Sequence, residues 1–249
     1  MSGSGELQGR SAIVTGASRG IGLAIADALT REGASVVMTG RDPKAGEAAA
    51  QGLRERGANV RFVRADQGSD ADWPAVVAAA EEGPGRFDIL VLNGGTSSFN
   101  PIATTSLEQF RETTRVHLKG VFFGLKHGVE AFRRHGQGAA VAMVSSIVGQ
   151  VGVAGFPGYA AAKSGVRLLA KAAALELGPE QIRVNSVHPG MIRTDMTAGF
   201  DEAAFAAAIP LGRFGEPGEV AQMVRYLVSD RGRFVTGAEM VVDGGWTTR

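Results

Sequence analysis

Thr15-Gly16-Ala17-Ser18-Arg19-Gly20-Ile21-Gly22 follows the apolar run Ser11–Thr15 and opens the helical pattern Ile21–Arg31. Between a strand and a helix these glycines have a physical reading. They permit a tight turn and close approach of a pyrophosphate, whose charge is favoured at a helix N-terminus. A dinucleotide site is implied, with a plain strand-to-helix turn as the alternative. The same alternation continues outward from this loop. Short β-rich runs at Ser35–Thr39, Val60–Ala65, Phe87–Leu92, Ala139–Val144, Arg183–Val187 and Met240–Val242 are separated by longer helical patterns such as Pro43–Arg56. This order predicts an α/β fold, a doubly wound parallel sheet flanked by helices on both faces.

The chain has 249 residues, 44% of them hydrophobic, enough for one such domain with a sizeable core. No linker or internal repeat divides it, so residues 1–249 are expected to form a single Rossmann-type dinucleotide-binding and catalytic domain. The stretch 189–237 lacks a strand and carries several Gly and Pro; it is expected to contain a substrate-covering lobe over the C-terminal edge of the sheet. A net charge of +1 without a dense Lys/Arg run offers no footprint for nucleic acid or an anionic membrane, and a small-molecule partner is expected. The absence of cysteine excludes disulfides and thiolate metal sites, and no metal ligand set is expected. Met1–Glu6 has no apolar leader core and no apolar run approaches the ~20 residues of a spanning helix, so the expected location is cytoplasmic.

The chemistry is placed later in the chain. Ser145-Ser146-Ile147-Val148-Gly149 reads as the mouth of a strand, and Tyr159-Ala160-Ala161-Ala162-Lys163 as the first turn of the next helix. Residues four apart share a helix face, so the Lys163 ammonium is expected beside the Tyr159 phenol. A nearby cation favours the phenolate and lowers a pKa that is ordinarily ~10. Ser146 is expected to supply a hydroxyl to the same carbonyl or alcohol oxygen. An ordinary helix cap, a solvated lysine and a strand-ending serine are the alternative.

Taken together, Gly-x-x-x-Gly-x-Gly at Gly16–Gly22, Ser146 thirteen residues before Tyr159-x-x-x-Lys163, and Pro189-Gly190 after a late strand resemble the short-chain dehydrogenase/reductase family. The resemblance runs from Gly9 to Trp246 and implies a nicotinamide-dependent oxidoreductase. It implies cofactor contacts from Gly16, Ser18, Arg19, Gly20, Ile21 and Gly22, from Asp66 beside the adenine, from Asn93 and Gly95, and from Pro189, Gly190, Ile192 and Thr194 near the carboxamide. Tyr159 and Lys163 are implied at the ribose as well as in catalysis. For Asp66 a turn role, for Asn93 a strand end and for Thr194 a helix cap are the alternatives. Two departures stand out. Leu92-Asn93-Gly94-Gly95 replaces the family's Asn-Asn-Ala-Gly, and Val116-His117-Leu118 places His117 where the family has an Asn whose backbone carbonyl serves a proton relay. His117 is either a structurally tolerated replacement or a titrating catalytic relay.

Gly40 occupies the position at which an acid would bind the ribose hydroxyl of NAD, while Arg41 and Arg19 suit the phosphate of NADP. NADPH/NADP+ is therefore expected over NADH, with Asp42 before Pro43 read as a helix cap. Candidate substrate contacts are Ser146, Gln150, Tyr159, Met191 and Met196, with Thr96, Ser97, Phe99, Val148, Val151, Phe156, Phe200 and Trp246 as further candidate pocket residues. This mostly apolar set suits a hydrophobic ketone or secondary alcohol. The closing segment Thr236–Gly245 resembles bacterial secondary-alcohol dehydrogenases and carbonyl reductases. A 3-oxoacyl carrier-protein reductase, docking an acidic partner on Arg133 and Arg134, is the rival, and a non-catalytic dinucleotide-binding regulator a further one. The helix from Tyr159 to Leu177 is apolar around most of its circumference, so a homotetramer is expected unless the 189–237 lobe covers it.

Overall fold

Seven parallel strands form one sheet in the order β3-β2-β1-β4-β5-β6-β7. They are β1 (Arg10–Thr15), β2 (Ser35–Gly40), β3 (Val60–Arg64), β4 (Arg86–Leu92), β5 (Ala139–Val144), β6 (Ile182–Pro189) and β7 (Glu239–Val242). The computed structural model describes residues 5–96 and 99–248. Each predicted strand is present, its ends displaced by at most two residues, within the ordinary uncertainty of where a ladder begins.

Side chains alternate across the sheet, so Ala12 and Val14 face one layer and Ile13 the other. The first layer is built by α1 (Gly20–Arg31), α2 (Pro43–Arg54) and α8 (Pro217–Val228), which bury Ile25, Leu29, Leu53, Val220 and Val224. The second is built by α3 (Trp73–Glu81), α5 (Gly120–His135) and α6 (Pro157–Leu177), with Trp73, Leu125, Val166 and Ala170 in its core. A short α4 (Leu107–Thr114) runs through one π-helical turn, Arg115–Lys119, into α5, and α7 (Glu202–Ala206) lies between β6 and α8. Within 189–237, then, α8 is a sheet-covering helix, and only the part before it is left to form a lobe.

Because β3 and β4 flank the β1–β2 pair on opposite sides, the connections after β1 and β4 diverge and leave a crevice at their C-terminal ends. The glycine loop after β1 and Asn93 after β4 stand on its two sides. Asp42 caps α2, accepting from the backbone N–H of Lys44 at 2.9 Å and of Ala45 at 3.1 Å, with Pro43 in the first turn. That cap turns the Asp42 carboxylate onto its own helix.

Candidate active site

At the crevice the backbone itself is packed tightly. A Cβ on Gly22 would lie 2.2 Å from the Gly16 carbonyl oxygen and 2.6 Å from Asn93 Nδ2. Only glycine lets α1 start so close to the loop below it. Thr15 Oγ1 accepts from the N–H groups of Asn93 and Gly94, both at 2.9 Å, and the Asn93 amide returns a bond to the Thr15 carbonyl at 3.0 Å. Asn93 thus both ends a strand and ties it to the loop. Arg19 precedes α1 without making a side-chain cap, so first-turn amides face the cleft without one. A glycine cradle beneath uncapped amides fits the pyrophosphate of a dinucleotide.

The cleft has a volume of about 450 Å³. Arg19, Gly20, Ile21, Gly22, Arg41, Asn93 and Gly95 line one part, and Ser146, Tyr159, Lys163, Pro189, Gly190, Ile192 and Thr194 the other. His117, Thr96 and Met196 also reach it, as do Val144, Ser145, Asp195 and Thr197, which the sequence did not single out. Arg19 pairs with Asp195 at 3.2 Å across the mouth, through side chains more than 70% exposed. Such a pair is weak and leaves the guanidinium available.

Tyr159 sits in the first turn of α6, and its hydroxyl lies beside the Ser146 side chain. One turn on, Lys163 is buried; its ammonium donates to the Val144 carbonyl at 2.8 Å and lies 5.5 Å from the centre of the Tyr159 ring. Ser145 Oγ donates to the Lys163 carbonyl at 2.9 Å, fixing that turn against β5. The expected trio is therefore assembled, but its electrostatics differ from expectation. Burial pushes the Tyr159 phenol up to about 12, and the neighbouring Ser146 hydroxyl offsets this only in part. Burial pushes the Lys163 ammonium down to about 8. The lysine does not lower the phenol here, because its hydrogen bond goes to a strand carbonyl and desolvation dominates.

His117 lies on the π-helical turn, its ring edge-on to Tyr159 with centroids 4.9 Å apart. Its Nε2 is 2.9 Å from the Thr96 carbonyl oxygen, and its buried Nδ1 has no hydrogen-bond partner among the described residues. Burial, helped by the Lys163 charge, drives its pKa down to about 3. An imidazole held neutral at ordinary pH favours the structural reading of His117, as an anchor for the chain after β4, over the titrating relay. Gln67, missed in the sequence, completes this corner. Its Nε2 donates to the Gly94 carbonyl at 2.5 Å and the Val116 carbonyl at 2.9 Å. A Cβ at position 94 would stand 2.4 Å from Gln67 Oε1, so the glycine found there makes room for the clasp.

A family model described as enoyl-(acyl carrier protein) reductase matches residues 16–247. The chain belongs to the short-chain dehydrogenase/reductase family. Among curated short-chain dehydrogenases/reductases, the NADP-dependent (R)-specific alcohol dehydrogenase of Lentilactobacillus kefiri is 40% identical over 250 aligned positions, covering 98% of this chain and 99% of that protein. The 3-alpha-(or 20-beta)-hydroxysteroid dehydrogenase of Mycobacterium tuberculosis strain H37Rv is 40% identical over 97% of this chain and 91% of its own length. A solved short-chain type dehydrogenase/reductase from Mycobacterium marinum superposes with a TM-score of 0.92 at 32% identity, over 98% of this chain and 97% of that one. The protein is an oxidoreductase.

Several of the expected contacts do not line this cleft. Gly16, Ser18 and Asp66 are not on the cleft wall. Burial alone would raise the Asp66 pKa, but hydrogen bonds from Arg115 and the Gly68 N–H, with the charges of Arg115 and Arg41, hold it below the ordinary value. Its carboxylate is thus committed to protein. Gln150 donates to Glu239 at 3.0 Å, and neither it nor Met191 lines the cleft. Among the other candidate pocket residues, Val148, Val151, Phe99, Phe156, Phe200 and Trp246 also stand off the wall, and Ser97 lies outside the described residues. Phe99 and Phe156 nevertheless form an edge-to-face pair at 5.3 Å, and Phe156 lies 6.2 Å from Tyr159, an aromatic row leading to the phenol.

The neutral His117 has a consequence for stability. Its pKa is about 3 in the folded chain against an ordinary 6.5, so the unfolded chain binds the extra proton between those values. The contribution is complete above about pH 6.5 and is lost as pH falls toward 3. Between pH 7.5 and pH 5 the wild type should lose ~2 kcal/mol more than His117→Asn, which cannot titrate. Urea unfolding at the two pH values measures this; equal losses would contradict a buried neutral imidazole.

Proposed function

We propose that this oxidoreductase interconverts a hydrophobic ketone and a secondary alcohol with NADPH/NADP+. The observation that carries the reading is that Ser146, Tyr159 and Lys163 line the same cleft as the uncapped start of α1. When bound, the nicotinamide supplies or accepts the hydride at its C4. Tyr159 gives its proton to the substrate oxygen in reduction and takes it in oxidation, while Ser146 orients that oxygen. Lys163, through the ammonium hydrogens not given to Val144, holds the nicotinamide ribose, and Pro189, Gly190, Ile192 and Thr194 flank the carboxamide.

Arg41 on the cleft wall, the carboxylate-free side of Gly40 and the self-capping Asp42 support NADPH, as does the printed cofactor of the Lentilactobacillus relative. The alcohol and hydroxysteroid dehydrogenases among the relatives, and the row Phe99-Phe156-Tyr159, support an apolar carbonyl substrate. The part of 189–237 before α8, carrying Met196 on the cleft, serves as the lobe over that substrate. The carrier-protein alternative has less support, because the relatives named above are alcohol and hydroxysteroid dehydrogenases. Leu168 and Leu175 on α6 remain 58% and 84% exposed, which favours a homotetramer over cover by the lobe.

The reading is tested by following nicotinamide absorbance with a panel of cyclic and aryl ketones, β-keto esters and acyl thioesters. Apolar ketones should be reduced with kcat/KM ~10- to 100-fold higher for NADPH than for NADH, as expected for one charge-assisted phosphate contact. No turnover of any ketone, or a preference for acyl thioesters, would overturn it.

A further inference from the structure

Below Ser146, the end of β6 presents Ser186 and His188 on one face, and both are completely buried. A buried neutral imidazole needs one nitrogen to donate and the other to accept. His188 Nδ1 is 3.1 Å from the Ser146 carbonyl oxygen, which can only accept, so the proton is on Nδ1. His188 Nε2 is 2.8 Å from Ser186 Oγ and must accept from that hydroxyl; the competing acceptor, the Ala238 carbonyl, is farther away at 3.4 Å. Burial lowers the His188 pKa and keeps this neutral form. The chain of bonds runs in one direction, from Ser186 through His188 to the backbone of Ser146.

That carbonyl is where the strand becomes a turn. Ser146 is extended, with φ −168° and ψ 159°, and the helical turn Ile147–Gly149 begins directly after it. Its carbonyl also accepts from Gly149 N–H at 3.0 Å, while its Oγ accepts from Val148 N–H at 3.2 Å. The far end of the turn is gripped as well, through the bond from Gln150 to Glu239, whose carboxylate also pairs with Lys171 at 2.7 Å. His188 is not on the cleft wall and touches no reacting group.

We propose that His188, locked in one tautomer by Ser186, is a positioning residue that sets the Ser146 hydroxyl against Tyr159. The proposal rests on the reading of Ser146 as the hydroxyl that orients the substrate oxygen. Small misplacements of such a group cost up to ~100-fold in rate. His188→Leu should therefore lower kcat ~10- to 100-fold while the NADPH Kd, read by nicotinamide fluorescence, stays within ~2-fold. His188→Asn places an amide N–H where Nδ1 was and should restore kcat to within ~3-fold of wild type. In a Ser146→Ala background, His188→Leu should have no further effect on the residual rate, because the group it positions is gone.

A leucine variant with wild-type kcat, an asparagine variant no better than leucine, or full additivity with Ser146→Ala would each overturn the proposal. Should His188→Leu fail to fold, Ser186→Ala decides: it breaks the chain at its first link with little change of volume, and a kcat lowered ~3-fold or more at unchanged NADPH Kd supports the proposal. An unchanged kcat there overturns it. Full activity in Ser146→Ala alone is a different failure, that of the reading of Ser146.

Discussion

Tyr159→Phe loses ~10³-fold or more in kcat while its NADPH Kd stays within ~2-fold of wild type. The ring remains, so the edge-on contact with His117 and the approach of Phe156 are preserved, and the fold has no reason to move. On the mechanism proposed above, what goes is the proton that Tyr159 gives to a carbonyl oxygen in the reduction direction. Ser146 keeps its hydroxyl but has no base or acid of its own beyond Tyr159, and His117 is neutral with its Nε2 already committed to Thr96. Stopped-flow reduction of an apolar ketone, with cofactor binding followed by fluorescence, separates the two quantities. Retention of more than a tenth of kcat would remove Tyr159 from the reaction. A parallel loss of NADPH binding would instead assign the hydroxyl to the cofactor.

Gly40→Asp reverses the cofactor preference. Gly40 ends β2, and a Cβ built there meets the Phe62 ring at 3.5 Å and Ser18 Oγ at 3.6 Å, ordinary contact distances. A Cβ therefore fits without moving the backbone. Its carboxylate would stand beside the glycine loop, where it can accept from both ribose hydroxyls of NADH and repel the phosphate of NADPH. Gain on one cofactor and loss on the other multiply, and the ratio of kcat/KM for NADPH over NADH should fall ~100-fold or more. Asp42 next door has no such effect in the wild type, because it is bound to the first turn of α2. An unchanged ratio in Gly40→Asp would show that the ribose lies elsewhere.

The fold was legible in the chain because strand and helix periods are local properties. Alternation of short β-rich runs with helical patterns placed all seven strands, and the glycine loop identified where the sheet opens. The helix α8 was less legible: inside a segment rich in Gly and Pro, its apolar face acquires meaning only against β5, β6 and α1. The site was legible where residue spacing fixes geometry, as for Tyr159 and Lys163 four apart on one helix. Not legible were the protein partners that distant segments supply. Gln150 is drawn to Glu239 and Asp66 to Arg115, separations of 89 and 49 residues that carry no signal along the chain.

The amino-acid sequence by itself determined the sheet and the glycine loop, and it picked out the three side chains that the fold brings to one cleft, since each depends on residue type at short spacing. Only the tertiary structure decided their electrostatic state. Desolvation comes from everything packed around a group, so that burial, and no neighbour in sequence, raises the Tyr159 phenol, lowers the Lys163 ammonium and keeps His117 neutral.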